Sequence, residues 1–387
     1  MAIYFIPILI CLISAVSREL SDNRRWTIMM GVILCLFFCF GYMTGTDWKT
    51  YEFWYDHLDF NRFYYGYMNE PGYYVYMMIM KKLGIPFWPY LIFTKSLLFL
   101  LVFKSMYEYS KESVWLSLMY YLPWFGLYFF IDNPLRNCIA VGIFMISTKY
   151  IIERKFWKFF WLTLLAASFH LTALFAFLVY PVLMRDVKKW VYAVLFLIIN
   201  IVFMNRDMLI NLITSLFGMI PFLQNKVITY FLMDSVFTQG KVFSFGMIWQ
   251  TALFVLVLLN KERIVNQIGE KFGLFAFNAA MIYFLLVRFT MTVEIFMRFQ
   301  LYFSVYVCVC IGLVVLSFEW RSRLLYLSVL LLVSSYVCFD RVTSSGRYIP
   351  YSNVVQYTLK GEFPSYSQRF YYNVKHSPYT VKGDVEE

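Results

Sequence analysis

Charge is what this chain of 387 residues has least of: 15% of it is Asp, Glu, Lys or Arg, against about 25% in a soluble domain. No polar stretch is long enough to be a soluble domain; the longest is the tail after Asp340. Histidine is scarce, with three residues at positions 57, 170 and 376, and no His/Cys cluster has zinc spacing. A resident metal is therefore not expected. The seven cysteines (11, 35, 39, 138, 308, 310 and 338) all fall within or at the ends of apolar runs and read as core residues. There is no Walker A loop, no GxGxxG, no HExxH and no Gly-rich nucleotide cradle. That excludes a nucleotide-driven enzyme and leaves an activated substrate or a gradient as the energy source. No cofactor is implied. The net charge of +11 is spread over short loops without a basic block, which excludes a nucleic-acid surface and suits anionic lipid or pyrophosphate. Internal repeats are absent. Met1–Val16 lacks a basic n-region and a cleavage site, so it reads as a first spanning helix rather than a signal peptide.

What is there is apolar: 61% hydrophobic residues, 22% of all residues being aromatic. A span needs about 20 apolar residues, with about 17 as the low end. Candidate spans are Ala2–Val16, Trp26–Thr44, Trp88–Met106, Val114–Ile131, Ile139–Ile152, Trp157–Tyr180, Trp190–Met204, Met208–Leu223, Val242–Leu259, Phe272–Val287, Ile295–Phe318 and Leu324–Phe339. The fold class expected is all-α: a polytopic membrane protein of about twelve helices, forming one domain over 1–340 with a polar tail at 341–387.

Loop Lys and Arg set the orientation. Arg18, Arg24 and Arg25, then Arg154, Lys155 and Lys158, then Lys261, Arg263 and Lys271, then Arg321 and Arg323 all fall on one side of such a chain, the cytoplasmic side. Gly45–Phe87, Asp132–Arg136, Pro181–Lys189, Gln224–Lys241, Arg288–Glu294 and the tail then face outward. Lys188 and Lys189 fall outside against the rule, as do Lys81 and Lys82. The run Pro71–Lys82 reads as a half-helix dipping in from the outer face.

Several residues stand out where lipid or headgroups are expected. Gly45–Phe87 mixes aromatics (Trp48, Tyr51, Trp54, Tyr64, Tyr65, Tyr73) with Asp47 and Glu70, the means by which proteins face sugars; an interfacial aromatic belt explains the rings but not the carboxylates. In Asp132–Ala140, Asn133 or Asp132 can cap a helix that Pro134 begins, putting Arg136 in its first turn. An Arg fork beside a helix N-terminus suits phosphate, the alternative being an arginine snorkelling to headgroups. His170 lies mid-span in Ser168-Phe169-His170-Leu171-Thr172, facing a cavity or bonded to a neighbouring helix. Arg288, Glu294 and Arg298 bracket an outer turn, with Glu294 and Arg298 spaced to pair. With Arg136, Arg341 and Arg347 they place more arginine outside than the positive-inside rule expects, which an anionic ligand on that face explains.

In these stretches the sequence resembles the Wzy/EpsG-type polysaccharide polymerases. The matching pieces are Gly45-Thr46-Asp47-Trp48 with Tyr51, Glu70-Pro71-Gly72-Tyr73, Leu135-Arg136-Asn137-Cys138-Ile139-Ala140, Glu153-Arg154-Lys155-Phe156, Ser168-Phe169-His170-Leu171-Thr172-Ala173, and Arg298 with the helix after it. The family's arginine segment usually reads Ile-Arg-Gln, where this chain has Leu135-Arg136-Asn137. The resemblance implies a GT-C-like helical fold in the bacterial inner membrane, with the active site facing the periplasm. It implies undecaprenyl-pyrophosphate-linked oligosaccharide as substrate, O-antigen or capsule as product, and a chain-length regulator protein as partner. The reaction expected is inverting glycosyl transfer without metal: Arg136, Arg298 and then Arg288 on pyrophosphate, Tyr51, Trp48 and Tyr73 on sugar, and Asp47, Glu70 or His170 as proton acceptor. The rivals are a flippase for the same lipid, which more often shows repeated halves, and an O-acyltransferase using His170. Because no ligand cluster is present, polymerisation by purified protein is expected to survive EDTA; loss on chelation with recovery on adding a divalent ion excludes this reading.

Overall fold

The computed structural model describes residues 1–58, 70–202, 211, 214–215, 244–292, 296–343 and 348–376. Its described elements are helical, joined by one isolated bridge between Gly41 and Asn353. Apart from single turns they are α1 (Ile6–Val16), α2 (Arg24–Cys39), α3 (Trp48–Asp56), α4 (Pro71–Lys82), α5 (Phe87–Tyr109), α6 (Val114–Asp132), α7 (Leu135–Ile152), α8 (Phe156–Phe169), α9 (Leu171–Leu183), α10 (Lys189–Val202), α11 (Phe245–Leu259), α12 (Lys261–Ile268), α13 (Glu270–Thr292), α14 (Met297–Leu316), α15 (Trp320–Thr343), α16 (Val354–Lys360) and α17 (Tyr366–His376). Six of these, α5, α6, α7, α13, α14 and α15, are long and apolar enough to cross a membrane. The chain is a membrane protein.

The sequence explains where helices begin. Asn23 accepts from the N–H groups of Arg25 and Trp26 to start α2, and Ser244 accepts from Met247 to start α11. Buried α6 and α14 form the middle of the bundle, while α15 turns much of its surface outward.

The bundle has two ends. One gathers the loop after α2, the α6–α7 turn and the segment after α15: Asp47 N–H donates to the Asp132 carbonyl at 3.0 Å, and Tyr42 N–H to that of Ser352 at 3.1 Å. The other end is basic. There Arg154 donates to the Met184 carbonyl at 3.2 Å, Lys189 meets Glu262 at 2.7 Å, and Lys261 pairs with Asp186.

These contacts correct the expected path. Trp157–Tyr180 is not one span. The helix rises from the basic end as α8, breaks at His170 in extended conformation (φ −156°, ψ 119°), and returns to the basic end as α9. A carboxylate from a distant segment takes both the His170 side chain and the Leu171 N–H, which favours the break over continuing the helix. Pro181–Lys189 therefore lies at the basic end, and Lys188 and Lys189 join the other cytoplasmic-type cations rather than opposing them. Asn278 of α13 secures the return by donating to the carbonyls of Val182, Leu183 and Arg185 at 2.8–3.1 Å. Most of Met208–Leu223 lies outside the described residues, but both flanks, Val202 and Ser244, sit at the end opposite the basic loops. Lys261, paired with Asp186, stays with the basic loops as expected.

Other boundaries shift less. The expected short span Ile139–Ile152 begins at Leu135 and has 18 residues. Pro71–Lys82 is a 12-residue helix, about 18 Å long and too short to cross alone. The tail does not hang free: 348–376 folds back against α2, with Tyr351 donating to the Phe37 carbonyl at 2.6 Å and Asn353 to that of Leu36 at 2.9 Å.

The hairpin has a direct test. Single cysteines at Lys188 and Ser365 should react with a membrane-impermeant thiol reagent from opposite faces. Reaction of both from the same face returns α8 and α9 to a single span.

Candidate active site

At the end opposite the basic loops, helix α6 widens into a π-helix over Leu122–Asp132 and stops. A helix end leaves carbonyls without partners, and lipid offers none. Each of the last four is capped from elsewhere: Phe129 by the Cys138 thiol at 3.5 Å, Phe130 by Lys95 Nζ at 3.2 Å, Ile131 by the Asn133 amide at 2.6 Å, and Asp132 by Asp47 N–H at 3.0 Å. Gly45 permits the last contact. A Cβ there would sit 1.8 Å from the Ile131 carbonyl oxygen, and its φ of +89° favours glycine.

The turn into α7 differs from the expected cap. Asn133 is left-handed (φ +64°) and bonds back to α6, Pro134 occupies the N-cap position, and no side chain caps the helix. The Asp132 carboxylate turns instead to Arg341 at 2.7 Å and to the Tyr348 hydroxyl, with the Arg341 guanidinium 5.4 Å from the centre of the Tyr128 ring. A buried carboxylate gains more from a guanidinium than from a helix N–H.

Arg136 is the second residue of α7. It donates from Nη1 to Glu70 Oε2 at 2.9 Å, and its guanidinium lies 5.3 Å from the centre of the Trp54 ring. The Tyr51 phenol lies against it. Glu70 immediately precedes α4, and its other oxygen accepts from His170 Nδ1 at 2.6 Å and from Leu171 N–H at 3.3 Å. Gly72 allows this approach, because a Cβ there would meet Ser168 Oγ at 2.2 Å. Burial raises the Glu70 pKa, but the hydrogen bond from His170, the Arg136 charge and the Leu171 N–H together bring it below the usual range. Ionised Glu70 only accepts, so the proton of neutral His170 sits on Nδ1. The lone pair is then on Nε2, which is buried and has no hydrogen-bond partner among the described residues.

The structure thus brings Glu70, Arg136, His170 and Tyr51 into contact. Asp47 and Arg298 join them electrostatically. Burial and the Asp132 charge raise the Asp47 pKa, against a hydrogen bond from Thr46 and the charges of Arg298 and Arg136. Arg298 makes no ion pair among the described residues, its carbonyl accepts from the Asn137 amide at 3.5 Å, and its charge also reaches His170. Its expected partner Glu294 lies outside the described residues, as do Tyr64, Tyr65 and Arg347. Arg288 is buried on α13. Of the rings expected to face sugar, Trp48 lies beside Trp88 and Tyr366, and Tyr51 and Tyr73 pack edge to face with 5.6 Å between ring centres. Sequence reasoning passed over Lys95 and Tyr348. A lysine in the middle of the run Trp88–Met106 is the signal for the first.

A model described as the EpsG family matches residues 24–358, which include every residue of this site. No curated protein and no solved structure matches the chain.

The ionised, buried Glu70 carries a prediction. Its folded pKa lies below the unfolded value of about 4.3, so its contribution to stability is complete above that pH and disappears as pH falls through the folded value. Glu70→Gln should cost about 3 kcal/mol at pH 7 by leaving Arg136 and His170 without their acceptor. Thermal unfolding followed by tryptophan fluorescence should show the gap from wild type narrowing below about pH 4. An equal gap at both pH values rules out an ionised Glu70.

Proposed function

The chain belongs to the EpsG family, which fits a polysaccharide polymerase, and we propose that it joins undecaprenyl-pyrophosphate-linked oligosaccharide repeats into O-antigen or capsular polysaccharide by inverting glycosyl transfer. In this reading it is a GT-C-like, metal-independent glycosyltransferase of the bacterial inner membrane, with its site facing the periplasm. The observation that carries the reading is the Glu70 carboxylate held between Arg136 and His170, with His170 Nε2 unpaired among the described residues.

The chemistry follows from that arrangement. The acceptor hydroxyl attacks the anomeric carbon, and its proton passes to His170 Nε2. The bond to the pyrophosphate oxygen breaks, and undecaprenyl pyrophosphate leaves with the electron pair. Glu70 holds the imidazole ring in place and stabilises the imidazolium that forms, as an orienting carboxylate does. With both its oxygens engaged, Glu70 is a poorer proton acceptor than the ring beside it. Arg136 Nε has no partner among the described residues, and Arg298 adds a second charge near Asp47 and His170. Preorganised cations of this kind stabilise the negative charge that develops on the leaving group. Half-buried Asp47, within electrostatic reach of both arginines, accepts from sugar hydroxyls in this reading.

Arg136→Lys and Arg298→Lys should each reduce polymerisation about 10²-fold, because a point charge cannot replace a fork. His170→Gln should lose about 10²–10⁴-fold. Arg154→Lys, at the basic end, should behave as wild type. The measurement is the ladder of repeat lengths made by purified protein, with membrane levels checked by blot. Near-normal ladders from Arg136→Lys and His170→Gln overturn the assignment. Deletion of the gene separates the polymerase from a flippase: single exported repeats indicate the first, and loss of all surface repeats the second.

A further inference from the structure

Lys95 lies on α5 with 1% of its surface exposed, among Cys35, Cys39 and Cys138. It forms no ion pair among the described residues, and its one described hydrogen bond goes to the Phe130 carbonyl. An unpaired cation in an apolar core is costly, and within a membrane such a residue calls for a reason. Carbonyl capping alone does not supply one. The neighbouring carbonyls of Phe129 and Ile131 are served by a thiol and a neutral amide.

What the charge finds is the negative end of α6. The carbonyls of Phe129 to Asp132 all terminate there, and the dipole of a helix favours a cation at its C-terminus. Immediately beyond, the chain reverses through left-handed Asn133 and enters α7, whose second residue is Arg136. The wide helix leaves this last turn with a looser ladder than an α-helix would. We propose that Lys95 is a positioning residue: its ammonium fixes the end of α6, and through the short turn that follows it holds the Arg136 guanidinium in register with Glu70 and the substrate pyrophosphate. This rests on the polymerase reading. It gives Lys95 a role in the reaction without contact with the substrate.

The experiment compares Lys95→Met, which keeps length and loses the donor, with Lys95→Arg, which keeps cation and donors. In purified protein, Lys95→Met should lower kcat by about 10-fold to 10²-fold, since misplacing a catalytic group by an ångström costs about that much, with KM for the lipid-linked unit nearly unchanged. Lys95→Arg should restore most of the rate. Thermal stability of Lys95→Met should change little, because removing a buried charge offsets the loss of a donor to the Phe130 carbonyl. A second readout needs no activity. Cys138, bonded to the same helix end, should be alkylated by N-ethylmaleimide several-fold faster in Lys95→Met and at the wild-type rate in Lys95→Arg, as measured by mass spectrometry. Wild-type turnover and wild-type alkylation in Lys95→Met overturn the proposal, and so does a loss of activity that tracks a loss of stability and is not rescued by Lys95→Arg. If the wild-type protein makes no ladder, the polymerase reading fails by itself, and the alkylation result still decides for or against Lys95.

Discussion

A helix that ends away from water must find partners for its last carbonyls, and the arrangement of this protein follows from how it finds them. The donors come from other elements. Asn353, Tyr351 and Val354 N–H close α2 at Leu36, Phe37 and Phe40. Lys81 closes α3 at Tyr55 and Asp56, Asn278 closes α9, and Arg323 closes α14 at Leu316 and Phe318. Except for Arg323, which reaches back five to seven residues, each ties one helix end to a segment distant in sequence. The end of α6 is the most elaborate case, with four carbonyls and donors from α5, α7, the Gly45–Asp47 loop and the turn itself.

The candidate active site is a by-product of those closures. Stopping α6 and starting α7 puts Arg136 below the Trp54 ring, and breaking α8 from α9 exposes an imidazole and a free N–H at the same depth. Glu70 answers both. Its carboxylate satisfies the broken helix and the arginine together, so the fold and the proposed chemistry rest on one group. A second buried carboxylate, Asp132, fastens Arg341 at the end of α15 and Tyr348 of the C-terminal segment to the same turn. Asp47 sits at that turn with its N–H on the Asp132 carbonyl, and burial raises its pKa.

The differences from expectation share one cause. Hydropathy reports which residues prefer lipid, not which way the chain runs. The apolar character of 157–183 is real, yet it belongs to two short helices. What divides them is a carboxylate 100 residues earlier. The described parts of the stretch expected as an outer loop fold as α3 and α4, where Tyr55 stacks on Tyr90 of α5 and the Tyr90 hydroxyl donates to that of Tyr73.

By itself the sequence determined the family, the all-helical membrane character, the basic end and the residue types that polar chemistry at a bilayer requires: Asp47, Glu70, Arg136, His170 and Arg298. Those follow from composition and local motif, which each short stretch carries within itself. Only the tertiary structure decided that α9 turns back, that Lys188 and Lys189 rejoin the basic end, that Asp132 holds Arg341 rather than a helix cap, and that Glu70 stands between Arg136 and His170. Those choices depend on which donor meets which acceptor across the bundle, and a one-dimensional pattern of apolar runs does not contain that pairing.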